Sequence, residues 1–265
     1  MEIPGRVHAG TCLDAVVEAV GITPYFRDEH ALIYCADCRT ILPKISAGMI
    51  DLCLTDPPYG MHWDGKVTRG PNGTGKQGPT RHYGATVIGD SKPFDPSPWL
   101  AFERVCLWGF QHFSDRLPPG TVLVWLKRYD DGFGSFLSDA DTAWLKGGCG
   151  VYCRRDVTLQ GESAVRFHPT QKPEGIMRWC IERAGGDGLI LEPFMGSGTT
   201  LVAAKQLGRR AIGIEIEEKY CAIAVDRLRQ SVMDFEAPRP ATDEQMSLLG
   251  WQDALKEEAV GHDPS

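Results

Sequence analysis

Between Gly188 and Glu215 the chain runs from a short apolar stretch (Gly188–Leu191, GLIL) into a glycine loop. It continues through a helical pattern ending at Gly208 and into a second apolar stretch, Ala211–Glu215 (AIGIE). Strand, loop, helix and strand in that order make a βαβ unit. Its crossover sets the two strands parallel, and a parallel sheet needs cover on both faces, so the chain is committed to an α/β fold. Just beyond, Lys219–Arg229 carries Tyr220, Ile223, Ala224 and Leu228 at helical spacing and predicts a further helix.

Elsewhere, residues 31–34 (ALIY) and Met49–Thr55 (MIDLCLT) predict buried strands, with a helical stretch over Thr40–Ser46 between them. Trp99–Phe113 reads as a helix, Thr121–Leu126 as a strand, Asp139–Leu145 as a weaker element and Glu174–Ala184 as a helix. Trp108, Trp125 and Trp144 fall at positions expected in a core. Residues 60–93 are rich in Gly, Pro, Thr and Asn and have no periodicity, and so long an irregular stretch points to function or disorder. Met246–Leu255 is expected to form a short helix in an otherwise mobile tail.

The 265 residues suffice for one large α/β domain with a modest insert. Met1–Gly10 is polar and lacks the apolar core of a signal peptide, and apolar runs of membrane-spanning length are absent, so a cytoplasmic protein is expected. Nine cysteines, an odd number scattered along the chain, argue against a disulfide framework. Cys35 with Cys38 and Cys149 with Cys153 resemble metal-ligand pairs, but a zinc site would have to unite them across the fold. Reduced thiols and no metal are the simpler expectation.

The net charge is −7, yet from Asp234 onward 8 acids meet only Arg239 and Lys256, leaving 27 acids and 26 bases before that point. The acidity belongs to the tail. Residues 61–89 run the other way, with Lys66, Arg69, Lys76 and Arg81 against Asp64, which suits a polyanionic partner.

Two strings carry chemistry. Glu192-Pro193-Phe194-Met195-Gly196-Ser197-Gly198-Thr199-Thr200 opens a helix directly after a strand, where glycines allow close backbone approach and the helix start offers free N–H groups. Glu215 ends the next strand, where a carboxylate accepts hydrogen bonds from a ribose. A dinucleotide site would want a third glycine, a phosphate loop would want Gly-Lys-Ser/Thr, and a plain tight turn would explain only the Gly-x-Gly. The whole string resembles the FxGxGTT cofactor motif of amino-directed DNA methyltransferases. The second string, Asp56-Pro57-Pro58-Tyr59, breaks a strand abruptly. The lone pair of an exocyclic amine is delocalised into its base. Acceptors on its two N–H groups, the Asp56 carboxylate and the Pro57 carbonyl, aim that lone pair at an electrophile. Pro58 fixes the carbonyl and Tyr59 offers a face for an extruded base.

With these strings in the order catalytic first, cofactor last, the sequence resembles the β-class DNA amino-methyltransferases, the N6-adenine and N4-cytosine group, from about Tyr25 to Leu228. The resemblance implies a mostly parallel, doubly wound Rossmann-like sheet with a target-recognition insert in mid-chain, and S-adenosylmethionine as cofactor. It implies cofactor roles for Glu192, Phe194, Gly196, Ser197, Gly198, Thr199, Thr200 and Glu215. It also implies one for Asp37, in a strand-end segment where this chain has Ala36 in place of the family's glycine; a helix N-cap is the other reading of Asp37. His168-Pro169-Thr170-Gln171-Lys172-Pro173 resembles the family's hexapeptide at the methionine end of the cofactor, with Thr170, Gln171 and Lys172 suited to a carboxylate. Residues 1–24 are then an N-terminal extension, 25–60 and 166–233 the core, 61–165 the DNA-contacting and recognition region with part of the sheet, and 234–265 the acidic tail. Expected partners are double-stranded DNA, through Lys66, Arg69, Lys76 and Arg81, a second copy of the chain, and a cognate restriction endonuclease. Asp before the prolines favours adenine; an N4-cytosine enzyme or a catalytically silent DNA-binding relative are the alternatives.

Overall fold

The computed structural model describes residues 13–61, 88–134, 138–159, 167–168 and 170–230. The chain separates into two units, Met1–Ser231 and Val232–Ser265, and the described residues all belong to the first. The tail with its expected helix, and Lys66, Arg69, Lys76, Arg81 and Pro169, lie outside the described residues.

One eight-stranded sheet organises the unit, in the order β1-β2-β8-β7-β3-β4-β6-β5. β2 (Ala31–Cys35), β8 (Ala211–Glu215), β7 (Ile190–Glu192), β3 (Leu52–Thr55) and β4 (Arg104–Trp108) are mutually parallel. All of β3 and β7 is buried, as apolar strands covered on both faces must be. The two-residue β1 (Phe26–Arg27) edges β2 antiparallel.

At the other end β6 (Ala140–Arg155) is long and bends at Gly147 and Gly148, whose φ values are 84° and 68°. Its first half pairs antiparallel with β4 and runs down β5 (Gly120–Leu126), from Thr121↔Leu145 to Leu126↔Ala140. Its second half climbs β5 again, from Val122↔Val151 to Leu126↔Arg155. β5 is therefore flanked on both edges by one strand.

Helices cover both faces. α3 (Glu174–Ala184), α4 (Thr199–Gln206) and α5 (Glu218–Gln230) bury Ile176, Trp179, Leu201, Ala224 and Leu228 against Ile33, Leu54, Trp108 and Trp125. On the opposite face α1 (Leu13–Val20) and the short α2 (Cys38–Ile41) join an aromatic group, Phe94, Trp99, Phe102 and Phe113, over Leu32, Leu107, Trp144 and Ile214. α1 was not foreseen: its buried Leu13, Val16 and Val20 recur at i, i+3 and i+7, and it lies within what reads as an extension. Among the described residues no helix is long and apolar enough to cross a membrane.

Two local expectations need correction. Trp99–Phe113 is not a helix but a 3₁₀ turn (Ser97–Ala101), the buried strand β4 and a second 3₁₀ turn (Phe110–His112). A strand apolar on both faces has no alternation, and in a short window it cannot be told from a buried helix. Thr40–Ser46 is likewise only the end of α2 followed by a 3₁₀ turn, broken by Pro43.

The end of the sheet away from the strand carboxyl termini is stapled by Asp51, 3% exposed, which takes hydrogen bonds from Arg104, from Arg209 (3.0 Å) and from the Gly188 amide (3.1 Å). At the carboxyl ends of β2, β8, β7 and β3 lie Asp37, Glu215, the glycine loop and Asp56. In open α/β sheets this crevice is where ligands bind.

Candidate active site

β3 delivers Thr55 to the carboxyl end of the central sheet and Pro57 and Pro58 stop the strand, leaving Asp56 half-buried with Tyr59 folded back over it. The Tyr59 hydroxyl donates to Asp56 Oδ1. Its ring stacks on His112, centroids 4.8 Å apart and planes at 17°. Gly109, in the left-handed region at φ 69°, makes room: a Cβ there would sit 2.1 Å from Tyr59 Cζ. Burial, then the neighbouring Asp56, pushes the Tyr59 phenol well above its ordinary value, so it is a hydrogen-bond donor at neutral pH. Asp90 holds the following turn by accepting from the amides of Gly60 (2.7 Å) and Met61 (3.0 Å).

Asp56 Oδ2 accepts from Lys172 Nζ at 2.5 Å, across 116 residues of sequence. Lys172 is 8% exposed and its ammonium lies 5.3 Å from the centroid of the Trp108 ring. Burial alone would lower its affinity for a proton, but Asp56 and then Asp141 outweigh that and the ammonium titrates above its ordinary value.

The glycine loop lies at the same crevice. Glu192, 3% exposed, accepts from Thr55 Oγ1 (2.5 Å), Phe194 N–H (3.2 Å) and Thr200 Oγ1 (2.8 Å), which bolts the loop and α4 to the residue before Asp56. Burial pushes its carboxyl up to about 8. Glu215 accepts from the amides of Gly196 (2.9 Å) and Glu217 (2.8 Å), and burial raises its carboxyl too. Gly196 and Gly198 have φ of 52° and 79°, and a Cβ on Gly198 would lie 2.6 Å from that of Ala224.

The hexapeptide loop ties the two turns together. His168 packs edge-on against Tyr220, centroids 4.4 Å apart, and lies beside Gly196, while Lys172 reaches Asp56. Burial holds the His168 imidazole below its ordinary value. Thr170 caps His168 Nδ1 through its hydroxyl (3.1 Å), and Gln171 Oε1 accepts the Phe167 N–H (2.8 Å).

The structure thus gathers Asp56, Tyr59, Lys172, Glu192, Gly196 and Glu215 at one crevice. Other predicted residues are engaged elsewhere. Ser197 and Thr199 face Arg227, whose guanidinium donates to the Ser197 carbonyl (2.6 Å), Ser197 Oγ (3.2 Å), Thr199 Oγ1 (3.0 Å) and Glu174 (2.7 Å). Asp37 caps α2, accepting from the Arg39 amide (2.9 Å), and pairs with the Arg39 guanidinium, which lowers its carboxyl. Phe194 packs on Trp99, centroids 5.7 Å apart.

Arg227, Gly109 and His112 escaped the sequence reading. Arg227 did leave a signal, as a cation on the otherwise apolar face of α5 formed by Tyr220, Ala224 and Leu228.

A family profile described as DNA methylase matches residues 152–226, which span the hexapeptide loop, the glycine loop and Glu215. That match and the relatives below support a place among the DNA amino-methyltransferases. Among similar proteins, the type II methyltransferase M2.LlaDCHI of Lactococcus lactis subsp. cremoris is 27% identical over 262 residues, covering 78% of this chain and 92% of that protein. M2.DpnII of Streptococcus pneumoniae is 55% identical over 73 residues, 27% of each chain. The fold is shared with the PvuII DNA methyltransferase (cytosine-N4-specific), at a TM-score of 0.52 and 14% identity over 86% of this chain and 94% of that one.

S-adenosylmethionine is the methyl donor of the family, and the crevice suits it. The Glu215 carboxylate, already fixed by two amides, keeps free lone pairs at the end of β8 for a ribose. The amides at the start of α4 and the bare Cα of Gly196 allow close approach.

Proposed function

We propose that the chain methylates the exocyclic N6 amine of adenine in double-stranded DNA. The observation that carries this reading is the placement of an acceptor carboxylate, Asp56, in the same crevice as the Glu215–Gly196 cradle, bridged by the loop from His168 to Lys172. When bound, S-adenosylmethionine supplies a methyl on a positively charged sulfur, already a good electrophile. The protein's part is to orient the amine. Asp56 and the Pro57 carbonyl accept its two N–H bonds and draw its lone pair out of the ring. The Tyr59 ring, backed by His112, stacks the extruded base. Lys66, Arg69, Lys76 and Arg81 hold phosphates, and residues 94–165 read the target sequence.

Adenine is favoured because the resemblance pairs Asp at the first position of the tetrapeptide with N6 and Ser with N4. The relatives in Lactococcus and Streptococcus are named type II methyltransferases, which supports a DNA substrate. The N4-cytosine reading has its own support, a shared fold with a protein named cytosine-N4-specific. Expression in a host without DNA methylation, followed by single-molecule sequencing, decides between them. N6-methyladenine in a fixed sequence context is expected; N4-methylcytosine selects the second reading, and unmodified DNA refutes both.

A further inference from the structure

The resemblance assigns Lys172 to the cofactor, yet its ammonium is spent on the catalytic turn. We propose that Lys172 is a positioning residue for methyl transfer, holding the Asp56 carboxylate aligned as an acceptor for the target amine. This rests on the function proposed above and extends it.

Asp56 receives the Tyr59 hydroxyl on one oxygen and the Lys172 ammonium on the other. A carboxylate has about four lone-pair sites, so roughly two remain for the amine. The side chain of Asp56 is 18% exposed and that of Lys172 8%. Without the ammonium one Asp56 oxygen loses its partner and the side chain is free to turn away from the amine. Lys172, seated 5.3 Å from the centroid of the Trp108 ring, fixes the direction from which that oxygen is held. The other charged and titratable groups around the pair are Tyr59 on the catalytic turn, His168 on the hexapeptide loop, Asp141 on β6 and Glu192 on β7.

The test is a double-mutant cycle on the full chain with Lys172→Met, Asp56→Asn and both together, and Lys172→Arg as a charge-retaining control. Lys172→Met is expected to slow single-turnover methyl transfer on the order of 100-fold, the scale of a misplaced catalytic contact. S-adenosylmethionine affinity, read by calorimetry, changes less than about threefold. Lys172→Arg recovers part of the rate. In the Asp56→Asn background, removing Lys172 has little further effect on rate or on the unfolding midpoint. The inference is overturned if Lys172→Met weakens cofactor binding as much as it slows transfer, if Lys172→Arg recovers none of the rate, or if the two substitutions act independently. The unfolding midpoints need no substrate, so they still judge the pair should the wild-type chain methylate no DNA. That outcome would refute the function proposed above.

Discussion

Glu192 offers the sharpest physical test of how the site is built. In the folded chain its carboxyl titrates at about 8, against an ordinary 4.5, because burial disfavours the charged form more than three hydrogen bonds favour it. Between those values the folded state holds a proton that the unfolded chain releases. Stability from this group is therefore fully present below 4.5, falls as the pH rises, and is lost above about 8. The slope in that window is at most about 1.4 kcal/mol per pH unit, for a total of roughly 5 kcal/mol as an upper bound. Glu192→Gln keeps the shape and stays neutral at every pH. Its amide still accepts from Thr55 and donates to Thr200. Thermal unfolding of both proteins without cofactor should give similar midpoints near pH 5. The wild type should fall behind as the pH approaches 9, by several degrees at the 2–4 °C per kcal/mol usual for a domain of this size. Parallel curves from pH 5 to 9 would refute the reasoning and place the carboxyl where water reaches it.

Three further outcomes follow from the geometry. Glu215→Ala should weaken S-adenosylmethionine binding at least about tenfold, the loss of a charge-assisted hydrogen bond, with unchanged affinity in calorimetry removing Glu215 from the ribose site. Gly109→Ala, strained by its positive φ and by the Tyr59 ring, should cost about 1–3 kcal/mol of stability and lower methyl transfer by dislodging Tyr59 from Asp56; an unchanged denaturation midpoint would contradict this. Arg227→Met strips four hydrogen bonds from Ser197, Thr199 and Glu174, and should destabilise the protein by about 1–3 kcal/mol, the cost of leaving the buried Ser197 and Thr199 groups without their donor while the half-exposed Glu174 turns to water, which urea unfolding would reveal.

The parts of this molecule legible in its sequence are those fixed by neighbours in the chain. Ala211–Glu215 and Glu174–Ala184 have the limits their apolar pattern, prolines and glycines set. The glycine loop and the tetrapeptide announce themselves because a proline pair or two closely spaced glycines force local geometry whatever surrounds them. What escaped depends on partners distant in sequence. β4 looks helical until Leu52 and Leu145 are known to lie beside it. The bend of β6 at Gly147 makes sense only around the start of β5. Glu192 reads as a cofactor ligand, yet both its oxygens are taken by Thr55, Phe194 and Thr200, and that follows from the adjacency of β3 and β7. Lys172 reads as a carboxylate ligand of the right kind; that the carboxylate at hand is Asp56 is a fact of the fold.

The central question for this site is whether Asp56 does chemistry rather than hold cofactor. Asp56→Ala and the wild type should be compared for S-adenosylmethionine affinity by calorimetry and for labelled-methyl transfer into DNA by nucleoside mass spectrometry. Affinity within about threefold of wild type, with transfer down by at least three orders of magnitude, is the expected result for losing the group that orients the nucleophile. Transfer at the wild-type rate with that carboxylate gone would contradict the mechanism.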